Sequence, residues 1–319
     1  MIKEKKYYTG LDFLKVLLAV IVVIRHACQN FLEPSSIFYV TIVNILSPCA
    51  VPCFFIISGF LFFNRQANIK KQIARLLLLY ISWSIIYFPF FLLNHKDSEL
   101  LNVIKEFIFI GSYYHLWFLP ALIVALLINY ILRNKNDKIL TVFFSFLFII
   151  AVIAEPYRFL ITDTIMDKFL SDYEKLFLTF RNGVFFGSIY VFIGKQISML
   201  NRGNNSFSKR IGLFTITLLL LLIEGFCLNN IRHYSVVNIL FSCLFFSPSL
   251  CFLFLHPSDK IDIKFPIRNV STFLFCSHPL VIGSVSKCIK TIHCNSGGGD
   301  SSNLSFFKHS NFLGCCCYI

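Results

Sequence analysis

Apolar stretches of 18 or more residues recur along the whole length of this chain, and that pattern narrows its possible folds more than any other feature. About 20 apolar residues in helical form are enough to cross the hydrocarbon of a bilayer, and soluble domains do not repeat such runs. Over the 319 residues, 56% are hydrophobic and only 14% charged. The sequence therefore predicts an all-α fold, a polytopic transmembrane helix bundle with the lipid bilayer as its first partner. Nine spans are expected, over 11–31, 38–63, 74–93, 115–132, 139–154, 181–199, 211–228, 236–256 and 269–289. The N-terminus has a basic start like a signal peptide. The helix after it is too long, lacks a small-residue cleavage site and carries charge, so it is read as an uncleaved first span.

The net charge of +13 follows a topology rule. Every second segment outside the spans is basic: Lys3, Lys5 and Lys6; Arg65, Lys70, Lys71 and Arg75; Arg133, Lys135 and Lys138; Lys195, Arg202, Lys209 and Arg210; Lys260, Lys264 and Arg268. The intervening segments lack cations or balance them with acids such as Asp97, Glu99, Glu106, Asp163, Asp167, Asp172 and Glu174. Basic segments stay in the cytoplasm, which predicts a cytoplasmic N-terminus and puts loops 94–114 and 155–180 outside. The charge is accounted for by topology, and nucleic acid is not an expected partner. Glu155-Pro-Tyr-Arg158 mixes charge with an aromatic, as either an acceptor site or a solvated helix cap would.

The first span holds Lys15, Arg25 and His26. Ionisable groups in hydrocarbon are costly unless they face protein or water, so they mark a functional path. Lys15 and His26 are eleven residues apart, placing them on nearly one helix face about 16 Å apart along the axis. Lys15 suits either headgroup snorkelling or an anionic donor. Arg25 points about 100° away from His26 and either holds a carboxylate or snorkels outward. Of the 12 cysteines, seven (Cys28, Cys49, Cys53, Cys227, Cys243, Cys251 and Cys276) lie in apolar spans, where cysteine behaves as a small hydrophobe. No metal site is expected, because no Cys or His accompanies Cys49 and Cys53 at zinc-like spacing. Phosphate loops, serine elbows, HExxH and visible internal repeats are all lacking.

Five blocks suggest a family. They are Lys15-x10-His26, Phe54-Phe-x-x-Ser58-Gly59-Phe60, His115-Leu-Trp117-Phe-Leu119, Arg181-Asn-Gly183-x-Phe-Phe-Gly187 and Ser271-x-Phe-x-Phe-x-x-His278-Pro279. In this order they resemble the signature segments of the acyltransferase-3 family of integral membrane acyltransferases, over roughly residues 8 to 285. The resemblance implies transfer of an acyl group, usually acetyl, from cytoplasmic acyl-CoA to a carbohydrate, often a bacterial surface polysaccharide. Acyl-CoA is then a co-substrate, the carbohydrate acceptor a second partner, and no bound cofactor is required.

Acyl transfer from a thioester to a hydroxyl needs a base or a nucleophile, and a histidine serves as either at neutral pH. His26, about 23 Å along the first span, is the expected catalytic residue. Lys15, Lys70, Lys71 and Arg75 are the expected donor-binding cations for CoA phosphates. Ser58 either packs helices closely or binds substrate. His115 and Trp117 either line the acceptor site or belong to an interfacial belt, and Arg181 is placed to bind an acidic sugar group or an oxyanion. His278 either contacts substrate or makes a structural hydrogen bond.

Two features depart from the family pattern. Gln72-Ile-Ala-Arg75 stands where many members have Arg-x-x-Arg. Residues 290–319 turn abruptly Gly-, Ser- and Cys-rich where a tenth span belongs. The expected organisation is thus a membrane domain over 1–289 and an atypical tail over 290–319, reading as a truncated or frame-disrupted product. Two rival classes remain: a transporter or flippase for a small polar solute, and a sensory membrane domain without chemistry.

Overall fold

The computed structural model describes residues 8–94, 99–200, 207–233, 235–255 and 267–295. Among these are eleven helices and no strand: α1 (Thr9–Phe31), α2 (Ile37–Asn64), α3 (Ile69–Asn94), α4 (Leu100–Phe109), α5 (Phe118–Ile131), α6 (Asp137–Ala154), α7 (Ile165–Phe177), α8 (Gly183–Met199), α9 (Phe207–Ile231), α10 (Cys243–Leu253) and α11 (Ile267–Asn295). Each of the nine expected spans overlaps one of these helices, the eighth only in part. Five (α2, α3, α6, α9 and, within α11, Asn269–Ile289) are long and apolar enough to cross a membrane, while α5, α8 and α10 are shorter apolar helices. The 290–319 tail leaves the described residues at Asn295, so Cys315, Cys316 and Cys317 lie outside them, as do Lys3, Lys5, Lys6, Arg202, Lys260 and Lys264.

Burial separates the centre from the rim. In α2, 78% of the most apolar window is inside the protein, against 22% in α3 and in α9. The large apolar side chains that α3 and α9 leave exposed, such as Leu78, Ile85, Ile216 and Ile223, suit contact with lipid tails. Helices α2 and α8 pack closely along a long seam. A Cβ at Gly59 would come within 2.4 Å of the Val191 carbonyl oxygen, and one at Gly194 within 2.3 Å of that of Ile56. Only glycine permits this approach, and Gly59 of the Ser58-Gly59 pair plays the packing role foreseen for it.

The described parts of the basic segments gather at one end of the bundle. Asn64 donates to the Tyr8 hydroxyl at 3.4 Å, and Gly10 abuts the Phe254 backbone. Phe62 packs on Tyr130 at 6.2 Å, Lys195 donates to the Arg133 carbonyl at 3.2 Å, and Arg210 donates to that of Leu255 at 3.4 Å. Lys195 itself departs from the expected solvated loop. It is only 2% exposed and is paired with Asp137 at 2.9 Å, because α8 carries it inside the bundle before the chain leaves the end.

Two further expectations are corrected. Segments 94–114 and 155–180, read as loops, contain the helices α4 and α7. Leu101, Ile104 and Ile108 recur at helical spacing, and Phe109 meets Phe177 edge-on at 5.5 Å. The eighth span, drawn over 236–256, is helical only from Cys243. Ahead of it the backbone is unwound, and polar side chains from neighbouring helices satisfy its amides. Asn44 of α2 accepts from Val237 N at 3.1 Å, and Glu224 of α9 accepts from Phe241 N and Ser242 N at 2.7 and 2.6 Å. Irregular backbone is tolerated at membrane depth only with such partners.

Candidate active site

The site grows from a proline. Pro279 in α11 has no N–H to give the carbonyl of Phe275, four residues earlier, and its ring crowds that turn. His278 takes the vacancy, its Nδ1 lying 2.7 Å from the Phe275 oxygen. One residue on, the Cys276 carbonyl accepts from the Tyr87 hydroxyl at 2.7 Å and from His115 Nε2 at 3.1 Å. The turn before Pro279 thus holds two imidazoles and a tyrosine in place.

His26 of α1 completes the group. Its ring stacks on His278 with centroids 5.0 Å apart and planes 17° apart. His115 meets His278 edge-on at 5.2 Å, and Tyr114 lies 5.0 Å from His26. Three histidines from three distant sequence blocks therefore form one cluster.

Their hydrogen bonds assign the protons. A carbonyl oxygen can only accept, so His278 carries its proton on Nδ1 and His115 on Nε2. The remaining nitrogens, His278 Nε2 and His115 Nδ1, are buried without a hydrogen-bond partner. His26 Nδ1 is 2.9 Å from the Gln29 amide oxygen, which leaves its Nε2 with the free lone pair. His115 and His278 are fully buried, whereas His26 is half-buried and is the most exposed of the three.

Arg25 follows neither expectation for it. It is 8% exposed and donates to the Val43 carbonyl at 3.0 Å, to Ser47 Oγ at 2.7 Å and to Asn238 Oδ1 at 2.7 Å. It neither snorkels nor pairs with a carboxylate, because the unwound segment before α10 and the irregular first half of α2 supply neutral acceptors. It ties the end of α1 that bears His26 to two neighbours.

The remaining residues singled out in the sequence lie in three other places. Trp117 and Arg181 come together, the guanidinium 5.6 Å from the indole, and Arg181 pairs with Glu155 at 3.2 Å. Burial pushes the Glu155 carboxyl above its usual range, against the pull of Arg181 and Thr179. Ser58 is half-buried beside Gly59, at the α2–α8 seam. Lys70, Lys71 and Arg75 are exposed on the first turns of α3, and Lys15, near the start of α1, pairs with Asp12. The proposed donor cations are thus separate from the histidines. Among the described residues no group of three His, Cys, Asp or Glu side chains is arranged to hold a metal.

Sequence reasoning missed Gln29, Tyr114 and Glu224. Gln29 stands three residues after His26, on the same helix face, and was open to detection by that spacing. Glu224 is the sole acid of the 25-residue α9, itself a signal. Tyr114 is brought to His26 by the fold alone.

A family model described as "Acyltransferase domain", that of the acyltransferase-3 family, matches residues 8–307. The chain belongs to the acyltransferase-3 family. Its histidine cluster unites that family's first, third and last signature blocks in a helical membrane protein. The chain is also similar to an amino-acid racemase of Enterococcus faecalis, 26% identical over 89% of this chain and 42% of the relative. A second such racemase of that organism is 29% identical over 61% of this chain and 29% of the relative. A serine/alanine racemase of Enterococcus gallinarum is 28% identical over 86% of this chain and 40% of that protein. The chain spans at most about two fifths of the length of these relatives. No solved structure matches.

Proposed function

We propose that this acyltransferase-3 member moves an acyl group, acetyl in the simplest case, from cytoplasmic acyl-CoA to a hydroxyl of a cell-envelope glycan. Its setting in this reading is a bacterial plasma membrane with the N-terminus in the cytoplasm. The observation that carries the proposal is the free Nε2 of half-buried His26, held in orientation by Gln29 and stacked on His278. That nitrogen accepts the proton of the acceptor hydroxyl as its oxygen attacks the thioester carbonyl. The C–S bond then breaks, the new C–O ester remains, and the proton passes from His26 to the CoA thiolate. Lys15, Lys70, Lys71 and Arg75, at the basic end, serve the CoA phosphates through charge-assisted hydrogen bonds. The relatives' names concern amino acids, and a hydroxy amino acid is accordingly the second acceptor to test.

The test is donor-dependent turnover in reconstituted vesicles. CoA release and mass spectrometry of the acceptor are followed for wild type, His26→Ala and His26→Gln. Both variants are expected to lose about 10²–10⁴-fold in rate. Near-normal acylation by a well-folded His26→Gln protein sinks the catalytic assignment. Solute movement without CoA release favours a transporter.

A further inference from the structure

An open pocket of about 390 Å³ lies at the end of the bundle opposite the basic segments. Glu155, Arg158, Thr162, Arg232, His233 and Ser235 are among its lining residues. The segment that begins at its Ser235 leads toward the histidine cluster. The Ser235 carbonyl accepts from Asn44 at 3.3 Å, and Asn238, three residues on, accepts from Arg25, the neighbour of His26. Glu155, on the other wall, is paired with the Arg181 that stacks on Trp117.

The charged groups in and around this pocket, three arginines and three acids, balance in number but not in placement. Arg158 is committed to Asp167 at 2.8 Å, to Glu174, and to Ser171 at 2.6 Å, which pin it to α7. Glu155 is neutralised by Arg181. The guanidinium of Arg232, half-buried where α9 ends, makes no hydrogen bond or direct ion pair to a described residue, although Glu155 attracts it from a distance. Of the three arginines, Arg232 is the one without a direct ion pair among the described residues. The hydroxyls of Thr162 and Ser235 already donate to the carbonyls of Arg158 and Arg232, at 3.3 and 2.8 Å. What they offer a ligand is lone pairs, which suits donors such as sugar hydroxyls.

We propose that this pocket is the acceptor subsite, and that Arg232 holds an anionic substituent, carboxylate or phosphate, on the sugar it takes. The proposal rests on the acyl-transfer reading for the meaning of the site, but not for its test. Arg181, the residue the sequence offered for an acidic group, is occupied by Glu155, and the role falls to Arg232. A guanidinium engages either anion in a bidentate fork, which an ammonium does not reproduce.

Glucuronate, glucose 1-phosphate and glucose are titrated against the protein in nanodiscs without any acyl-CoA, and binding is read by saturation-transfer NMR. At least one anionic probe is expected to bind about tenfold tighter than glucose, as a charge-assisted hydrogen bond implies. Whichever anion prevails identifies the substituent. Arg232→Gln should abolish that preference, and Arg232→Lys should keep part of it. The glutamine variant removes no hydrogen bond to a described residue, and an unchanged unfolding temperature would confirm that it is folded. Equal binding of all three probes by wild type overturns the proposal, as does an anionic preference that survives in Arg232→Gln. A protein that prefers the anionic sugars but never releases CoA supports this site and refutes acyl transfer alone.

Discussion

The α2–α8 seam permits a prediction with a worked magnitude. An added methyl at Gly59 would sit 2.4 Å from the Val191 oxygen, and one at Gly194 would sit 2.3 Å from the Ile56 oxygen and 2.7 Å from the Phe60 amide nitrogen. In each case backbone is the obstacle, so no side chain can swing away and the helices must part by about an ångström. A gap of that size forfeits about a quarter to a half of each dispersion contact along the seam. Overpacking of this kind costs about 1–3 kcal/mol, and the better helix propensity of alanine returns about 1 kcal/mol. Gly59→Ala and Gly194→Ala should each destabilise by about 1 kcal/mol. The double variant should cost less than the sum by about 0.5 kcal/mol or more, since one separation relieves both clashes. Gly212 in α9 is the control. A Cβ there meets nothing within 4 Å, so Gly212→Ala should be neutral or stabilising. The assay is reversible unfolding of the purified protein in mixed micelles, titrated with SDS. Gly59→Ala behaving like Gly212→Ala, or a strictly additive double variant, would refute the close-packed seam.

Three other outcomes follow from the structure. Replacing Lys15 or Arg75 by Ala should raise the apparent Km for acyl-CoA more than that for acceptor; unchanged acyl-CoA affinity in both variants removes them from the donor site. A single cysteine at position 68, in a cysteine-free background, should be labelled only after the cytoplasmic face is opened to reagent, and labelling of intact cells reverses the topology. Asp137→Ala should cost about 1–2 kcal/mol of stability, because it takes the counter-ion from Lys195 while Asp137 itself is 45% exposed and screened by water, and Lys195→Met should cost less; equal losses would contradict the pairing.

The class of the molecule and the ends of its helices were open to sequence reasoning, since both depend on local quantities. Hydropathy over some 20 residues selects helices that satisfy their own backbone in lipid, and the described parts of the alternating basic segments do converge at one end of the bundle. Where the local signal mixed two causes, the reading slipped. Residues 235–242 are apolar enough for a helix, yet Asn44 and Glu224, remote in sequence, bind their amides and keep them unwound. Arg25 shows the same limit: its acceptors, Val43, Ser47 and Asn238, come from two other segments, and no spacing within α1 points to them.

The candidate site divides along the same line. His26, His115 and His278 each stood out as polar groups in apolar surroundings, and the family blocks singled out all three. Their convergence was decided by packing across three segments and by a proline whose missing N–H frees the carbonyl that orients His278. Which nitrogen keeps its lone pair also depends on these partners. The fate of each arginine is likewise a matter of distance: Arg181 and Arg158 found carboxylates, and Arg232 was left facing an open pocket. Composition chooses the solvent in which a chain folds because transfer free energies sum over local residues. Proton positions and pocket charge arise from pairs far apart in sequence, and only the folded chain brings them within reach.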